Sequence, residues 1–222
     1  KTDNKFHVLN EGDNAVSFNQ GMDFIYEVQL SQVYRVEKWI EPIEVRYTGN
    51  PTAEDIENLN EIIKDFNNVE GFPGMKIVGR DENVLLVYAD KEMLPELLKE
   101  YDLNEINLNE IDKGVCQRFS EKGEIVRALI IIESDIDQNY RNSVVLHEIF
   151  HMIGFYGHFR DNASIINQAG EPLPKLSPID TLAFRILYHP EILIGMKYDE
   201  MNMYYQEQKR DKFEKDAFRL LF

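Results

Sequence analysis

The feature that most constrains this chain is a ten-residue apolar segment, residues 144–153, that contains three ionisable side chains. The segment reads Val-Val-Leu-His-Glu-Ile-Phe-His-Met-Ile, so the ionisable residues are His147, Glu148 and His151. A helix that is apolar nearly all round is buried in a globular protein. Each buried polar side chain costs about 1 to 3 kcal/mol when it lacks a partner. The segment therefore predicts a buried helix whose histidines and glutamate need a partner inside the protein.

A zinc ion (Zn2+) is the partner that this spacing favours. Residues four apart on an α-helix lie about 40° apart around the axis and about 6 Å along it, so His147 and His151 can direct their nitrogens at one ion. Glu148 cannot share that ligand direction, but it can reach a water in an open coordination position. We predict that Glu148 is the general base of a hydrolytic zinc site. A buried histidine pair without metal is the alternative.

The residues after the helix supply candidates for a third ligand. Gly154 is predicted to end the helix, because glycine adopts the left-handed conformation that turns the chain without steric cost. The returning chain brings His158, which would complete three protein ligands and leave the fourth position for water. Asp161 and His189 are the rival third ligands.

The length and composition indicate one folded domain. The 222 residues are 43% hydrophobic and 29% charged, which is the balance of a globular protein. We expect a loosely ordered N-terminal arm over residues 1–20 and a single domain over residues 21–222, divided near residue 154 into an upper and a lower lobe. Cys116 is the one cysteine, which excludes an intramolecular disulfide and a cysteine-rich zinc finger.

The charge limits the partners of the protein. The formal net charge is −16, and a strongly acidic surface repels phosphate backbones, which disfavours nucleic acid. No stretch reaches the roughly 18 consecutive apolar residues of a transmembrane segment. Because the sequence does not begin with Met, we expect that an export signal has been removed and that the protein is periplasmic, at the cell surface or extracellular.

Periodicity predicts a mixed sheet with helices in the first two thirds of the chain and mostly helix afterwards. Alternating or continuous apolar residues predict strands, and apolar residues at helical intervals predict helices. The predicted strands are residues 43–48, 75–78, 84–88 and 125–132, the last of them buried on both faces; the predicted helices are residues 52–66, 92–101, 177–188 and 200–221. The stretch over residues 102–124, which carries Cys116, is predicted to be irregular.

The histidine motif resembles that of the metzincin clan of zinc peptidases, His-Glu-x-x-His-x-x-Gly-x-x-His followed by a methionine-containing turn below the metal. Here the third histidine, His158, comes one residue later than in that pattern. Residues 195–198, Gly-Met-Lys-Tyr, look like the methionine turn, and Met203 is an alternative that also precedes a tyrosine by two residues. The resemblance implies a structural role for Met196 and an approach of Tyr198 to the metal or the oxyanion, as in the astacin and serralysin branches.

A longer resemblance runs from about Trp39 to Met196. The stretches at residues 39–43, 114–116, 164–167 and 187–196 look like those of a bacterial family of exported, metzincin-like peptidases catalogued as a domain of unknown function. The resemblance implies an α/β (α+β) fold with a twisted mixed sheet, an active-site helix and a mostly helical C-terminal lobe. It implies zinc-dependent hydrolysis of a protein or peptide substrate. The alternative is a non-catalytic surface binding module with a structural zinc site.

Overall fold

A five-stranded mixed sheet organises the computed structural model, which describes residues 18–101, 113–160, 163–167 and 173–207. The strands are β1 (Ile43–Gly49), β2 (Met75–Ile77), β3 (Val84–Ala89), β4 (Gly114–Glu121) and β5 (Glu124–Glu133), in the spatial order β2-β1-β3-β5-β4. All neighbours are parallel except β4, which pairs antiparallel with β5. The predicted mixed α/β fold is confirmed at this level, with a sheet that is mostly parallel.

The helices lie on both faces of this sheet and beyond it. They are α1 (Phe18–Ile25), α2 (Ser31–Val33), α3 (Ala53–Phe66), α4 (Leu94–Glu100), α5 (Gln138–Met152), α6 (Pro178–Tyr188) and α7 (Tyr198–Glu207). The predictions for α3 and α6 are confirmed, because Thr52 and Ser177 each form a capping box with an aspartate three residues on. Residues 1–17 of the predicted arm and the predicted helix beyond residue 207 lie outside the described residues, whereas residues 18–20 of that arm begin α1.

Alternation along the strands divides the apolar core between the two faces of the sheet. On β5, Ile130 and Ile132 belong to the larger core, which α3 and α5 help to cover, whereas Leu129 and Ile131 face a smaller core that contains Leu94 of α4. The prediction that this strand is buried on both faces is therefore confirmed. The larger core places α5, the helix of the histidine motif, directly against β4 and β5.

The described part of the stretch that was predicted to be irregular is instead the edge strand β4, so that prediction is wrong for residues 114–121. β4 and β5 form a hairpin in which Glu121 pairs with Glu124, and the two turn residues, Lys122 and Gly123, have φ of 54° and 93°. Positive φ at both turn positions is the conformation that closes a two-residue hairpin. The residues of β4 are all at least partly exposed, so no alternation of buried and exposed positions marks this segment as a strand. Its pairing with β5 defines it.

A helical segment near the N-terminus was not predicted. It comprises α1, a π-helical stretch (Tyr26–Leu30) and α2, and α1 packs against α6. The side chains of Met22, Phe24, Ile25 and Val28 are buried, so this segment belongs to the main core. Among the described residues, no helix combines the length and the apolar character that crossing a bilayer requires.

Candidate metal centre

His147 and His151 lie on α5, and hydrogen bonds from their Nδ1 atoms fix the orientation of their rings. The Nδ1 atom of His147 lies 2.7 Å from the carbonyl oxygen of Ile165, and that of His151 is hydrogen-bonded to the carbonyl oxygen of Phe155. A carbonyl oxygen can only accept, so each Nδ1 atom carries the proton and donates it. Each neutral ring therefore has its lone pair on Nε2, which is the arrangement that orients a histidine as a metal ligand.

The two Nε2 atoms face each other at a distance of 3.0 Å. Because both Nδ1 atoms donate, neither neutral ring has a proton left for a hydrogen bond between the Nε2 atoms. Two nitrogens bound to one tetrahedral zinc ion lie about 3.3 Å apart, close to the distance found here. A cation that accepts both lone pairs would explain the arrangement. Protonation of the His151 ring is opposed by its burial, which lowers its pKa well below the usual value.

His158 completes a cluster of three histidines. The ligand atoms of His147, His151 and His158 all lie within 4.8 Å of one another, and the ring centroid of His158 is 5.3 Å from that of His147 and 5.0 Å from that of His151. The rival ligand His189 lies at the end of α6, outside this cluster, and its Nδ1 atom accepts a hydrogen bond from the backbone N–H of Glu191. The other rival, Asp161, lies outside the described residues.

Hydrogen bonds on both sides of His158 fix the loop that carries it. The backbone N–H of Gly157 donates to the carbonyl of Val28 at 2.6 Å, and that of Phe159 donates to the carbonyl of Ile166 at 2.7 Å. These bonds attach the loop to the N-terminal helical segment and to residues 163–167. His158 itself is exposed, whereas His151 is buried and His147 is intermediate, so the cluster opens toward solvent on the His158 side.

Four side chains from other elements satisfy the carbonyl groups at the end of α5. The last carbonyls of a helix lack partners within the helix and must find them elsewhere. The donor–acceptor pairs are Arg118 Nη1 to His151 O, Trp39 Nε1 to Met152 O (3.0 Å), the Tyr188 hydroxyl to Ile153 O (2.9 Å) and Gln29 Nε2 to Gly154 O (2.7 Å). The point at which the chain leaves the helix is thus fixed by β4, α6 and the N-terminal segments together.

Gly154 has φ of 124°, a region that disfavours residues with a side chain. A β-carbon at this position would lie 2.8 Å from the carbonyl oxygen of Glu37 and 3.0 Å from Nε2 of Gln29. Glycine is therefore needed both for its conformation and for the close approach of Gln29. The structure thus places Gly154 at the turn that was predicted to end the helix.

Glu148 lies in a slot between α5 and β4. Its side chain is 6% exposed, and a β-carbon on Gly114 of β4 would lie 2.8 Å from both Cγ and Oε1 of Glu148. Burial raises the pKa of Glu148 to about 8, although the nearby positive charge of Arg118 acts in the opposite direction. The absence of a side chain at Gly114 is what leaves room for this carboxyl group.

Met196, its alternative Met203 and Tyr198, which were assigned to the predicted methionine turn, differ in their surroundings. The backbone N–H of Met196 donates to the carbonyl of Leu193 at 3.3 Å, closing a tight turn, and Val36 donates to the carbonyl of Met196 at 2.7 Å. Met196 packs against the main core, whereas Met203 is 58% exposed. The ring of Tyr198 contacts that of Tyr26 at 4.8 Å, and within the described ranges no hydrogen bond or ring contact joins Tyr198 to the three histidines.

The comparison with protein families adds one finding. The profile of a family described as a protein of unknown function (DUF2927) matches residues 20–207, most of the chain. The chain belongs to this family. No curated protein matched it. The prediction of membership in a family of unknown function is confirmed, and the description of DUF2927 names no activity, so the metzincin identity stays a prediction.

Several residues that support the site in this DUF2927 protein were not predicted from the sequence. They are Gln29 and Arg118, together with Trp39, Gly114 and Tyr188, which entered only as parts of a resemblance. A signal for the four donors among them existed, because a buried helix end always requires donors for its last carbonyls. The sequence does not say which distant side chains supply those donors.

Proposed function

We propose that this protein is a zinc-dependent peptidase in which His147, His151 and His158 hold the metal and Glu148 is the general base. The proposal depends on the arrangement of the His147 and His151 rings. Each Nδ1 atom donates a hydrogen bond to a carbonyl oxygen, and the two Nε2 atoms face each other at 3.0 Å. The third imidazole lies within 4.8 Å of this pair.

The donor set fits zinc. Three neutral imidazoles are an established zinc ligand set, and their nitrogens favour zinc over the oxygen-seeking ions calcium and magnesium. When bound, zinc supplies Lewis acidity and lowers the pKa of a coordinated water. The described residues offer three ligands, so a zinc ion held by these three alone would keep a coordination position for that water.

Two features support the assignment of Glu148 as the general base. It follows His147 directly, and the slot beside Gly114 excludes bulk solvent from its carboxyl group. A cation beside it would favour the ionised form, because an opposite charge lowers the pKa of an acid. In this account Glu148 accepts the proton of the attacking water and passes it to the amine of the cleaved peptide bond.

We further propose that the fold and site are metzincin-like, with Met196 in the turn below the metal and Tyr198 as a candidate for the oxyanion. The turn closed by Leu193 and Met196 supports the first assignment. Tyr198 contacts Tyr26 in this structure, so a role at the oxyanion requires that it move toward the histidines when substrate binds. Activity of Tyr198→Phe tests that role separately from the metal.

The proposal is tested by comparing the parent with Glu148→Gln in zinc content and in cleavage of a peptide library. We expect equal zinc in both proteins and a loss of activity of at least about 100-fold in the variant, because general base catalysis contributes that much. Equal cleavage by the variant would show that Glu148 is not the base. A parent that holds zinc with four protein ligands and cleaves nothing would instead support a non-catalytic binding module with structural zinc.

A further inference from the structure

Asp180 on α6 is a buried acid that contacts none of the three histidines directly. Its side chain is 0% exposed, and its two carboxylate oxygens accept hydrogen bonds from the Ser164 hydroxyl (2.6 Å), the Ile165 backbone N–H (3.0 Å) and the Ser177 backbone N–H (2.9 Å). The Ser177 bond is part of the capping box of α6. The other two bonds reach a separate segment, residues 163–167, and this second use of the carboxylate is not needed for capping.

The segment that Asp180 holds is the one that supports the metal ligands. The backbone N–H of Ile165 donates to the Asp180 carboxylate, and the carbonyl of Ile165 accepts from Nδ1 of His147 at 2.7 Å. The next carbonyl, that of Ile166, accepts the hydrogen bond from Phe159, the residue after His158. Two of the three histidines are therefore positioned by adjacent carbonyls of one short segment.

The buried side chains of Ile165 and Ile166 pack in the main core, and hydrogen bonds within the segment add to this. The Ser164 hydroxyl accepts from the Ile166 N–H at 3.1 Å, and the Asn167 amide donates to the Ser164 carbonyl at 3.0 Å, but both bonds are internal to the segment. Asp180 connects the segment to a rigid helix. A carbonyl that orients a ligating histidine acts at the second layer of a metal site, where substitutions change metal affinity.

We propose that Asp180 is a positioning residue for the zinc ligands, acting through Ile165 on His147 and through Ile166 on the loop of His158. This inference rests on the proposed function only in that the cation is zinc. The Asp180 carboxylate sets the orientation of the Ile165 carbonyl, and this carbonyl selects the His147 tautomer that has its lone pair on Nε2.

The test compares Asp180→Ala with Ser177→Ala in the full chain. Both variants remove half of the α6 capping box, but only Asp180→Ala releases residues 163–167. Competition with a chromophoric chelator gives the zinc dissociation constant. We expect this constant to be about 10- to 100-fold higher in Asp180→Ala than in the parent, and equal to that of the parent in Ser177→Ala. Equal constants in parent and Asp180→Ala would overturn the inference.

A second measurement does not depend on zinc or on catalysis. Nitrogen NMR of metal-free protein reports the tautomer of His147, and we expect a protected Nδ1 proton in the parent and in Ser177→Ala that is lost in Asp180→Ala. If Asp180→Ala does not fold, Ser164→Ala replaces it, with a smaller loss of affinity expected and an unchanged constant counting against the inference. If the parent binds zinc but cleaves no peptide, the proposed function fails while the role of Asp180 stands.

Discussion

At Gly114, a missing side chain determines where an acidic side chain can lie. A β-carbon there would come within 2.7 Å of Val144 Cγ1 and 2.8 Å of Glu148 Oε1, closer than side-chain carbons pack. The carboxyl group of Glu148 is therefore held in a slot of fixed width between α5 and the edge strand. The position of the proposed base, Glu148, therefore depends on the lack of a β-carbon at Gly114.

Gly114→Ala is expected to impair catalysis without removing metal. The added methyl group must displace Glu148 or Val144, and a misplacement of about 1 Å at a catalytic group costs on the order of 100-fold in rate. The zinc content should equal that of the parent, because no ligand touches Gly114. Gly79→Ala is the matched control, since a β-carbon at Gly79 meets nothing within 4 Å. Parent-like cleavage by Gly114→Ala would argue against the slot.

At the scale of elements, α5 is fixed at both ends by side chains of other elements. Near its beginning, Arg141 donates through Nε to the buried carboxylate of Asp55 on α3 at 2.8 Å. At its far end, Trp39 and Tyr188 each supply a donor to a carbonyl. The two histidines on this helix are thus carried by a rigid element, which lowers the cost of holding them in ligand geometry.

Tyr188→Phe tests the fixing of the far end. The substitution leaves the ring in the core and removes the hydroxyl that donates to Ile153 O, so a buried carbonyl loses its partner. We expect the free energy of unfolding to fall by about 1 to 3 kcal/mol in urea titrations. Tyr26→Phe, at a tyrosine that is 50% exposed, is the control and should change stability by less than about 0.5 kcal/mol. Equal effects in both variants would contradict the capping role.

The Asp55–Arg141 pair predicts a pH dependence of stability. Burial alone would raise the pKa of Asp55, but hydrogen bonds from Arg141, Thr52 and Gln138 outweigh it and lower the pKa. A pKa below the unfolded value of about 3.9 stabilises the fold above that pH, and this stabilisation is lost as the pH falls through the folded pKa.

Arg141→Leu should cost about 3 to 5 kcal/mol at pH 7, because it leaves a buried carboxylate without its cation. The donors Thr52 and Gln138 remain, but the loss of the Arg141 donor raises the pKa of Asp55 relative to the parent, so this variant should lose less stability than the parent on acidification. The measurement is urea unfolding at several pH values below about 5. An acid dependence identical to that of the parent would contradict the assignment. Arg80→Leu, at a surface pair, is the control and should cost less than about 1 kcal/mol.

At the scale of the whole molecule, the proposed metal joins parts of the chain that only the fold brings together. His147 and His151 lie on α5, and the loop of His158 is attached to Val28 and to Ile166 by backbone hydrogen bonds. A ligand that binds only the folded state stabilises it by an amount that grows with the logarithm of its affinity. Zinc should therefore stabilise the whole domain.

Removal of zinc with a chelator is expected to lower the melting temperature. At a zinc concentration about 1,000 times the dissociation constant, binding contributes about 4 kcal/mol, which corresponds to on the order of 10 °C for a chain of this size. Scanning calorimetry before and after zinc is restored measures the difference. His158→Ala should show a smaller shift than the parent. Melting curves that are indifferent to zinc in the parent would contradict a metal shared by these segments.

The sequence predicted what depends on local patterns. Thr52 and Ser177 marked two helix starts correctly, and the branched residues of β5 indicated a strand buried on both faces. It did not predict β4, because that strand is half-exposed and is defined by its pairing with β5. The turn at Lys122 and Gly123 was the one local signal that could have revealed the hairpin.

The candidate site divides in the same way. The spacing of His147, Glu148 and His151 is a property of one helix and is readable from the sequence. Asp180 contacts Ile165, 15 positions away in the sequence, and Arg118 contacts His151, 33 positions away. No periodicity in the sequence predicts such contacts. Such long-range contacts become visible only when the fold brings the residues together.

The most direct test of the central claim is zinc X-ray absorption spectroscopy on full-length protein purified without chelators, with zinc quantified in the same sample. We expect one zinc per chain, bound by three imidazole nitrogens at about 2.0 to 2.1 Å and one oxygen. This signal should be lost in His151→Ala. Stoichiometric zinc without imidazole ligands, or no bound zinc in protein exposed to excess metal, would contradict the central claim.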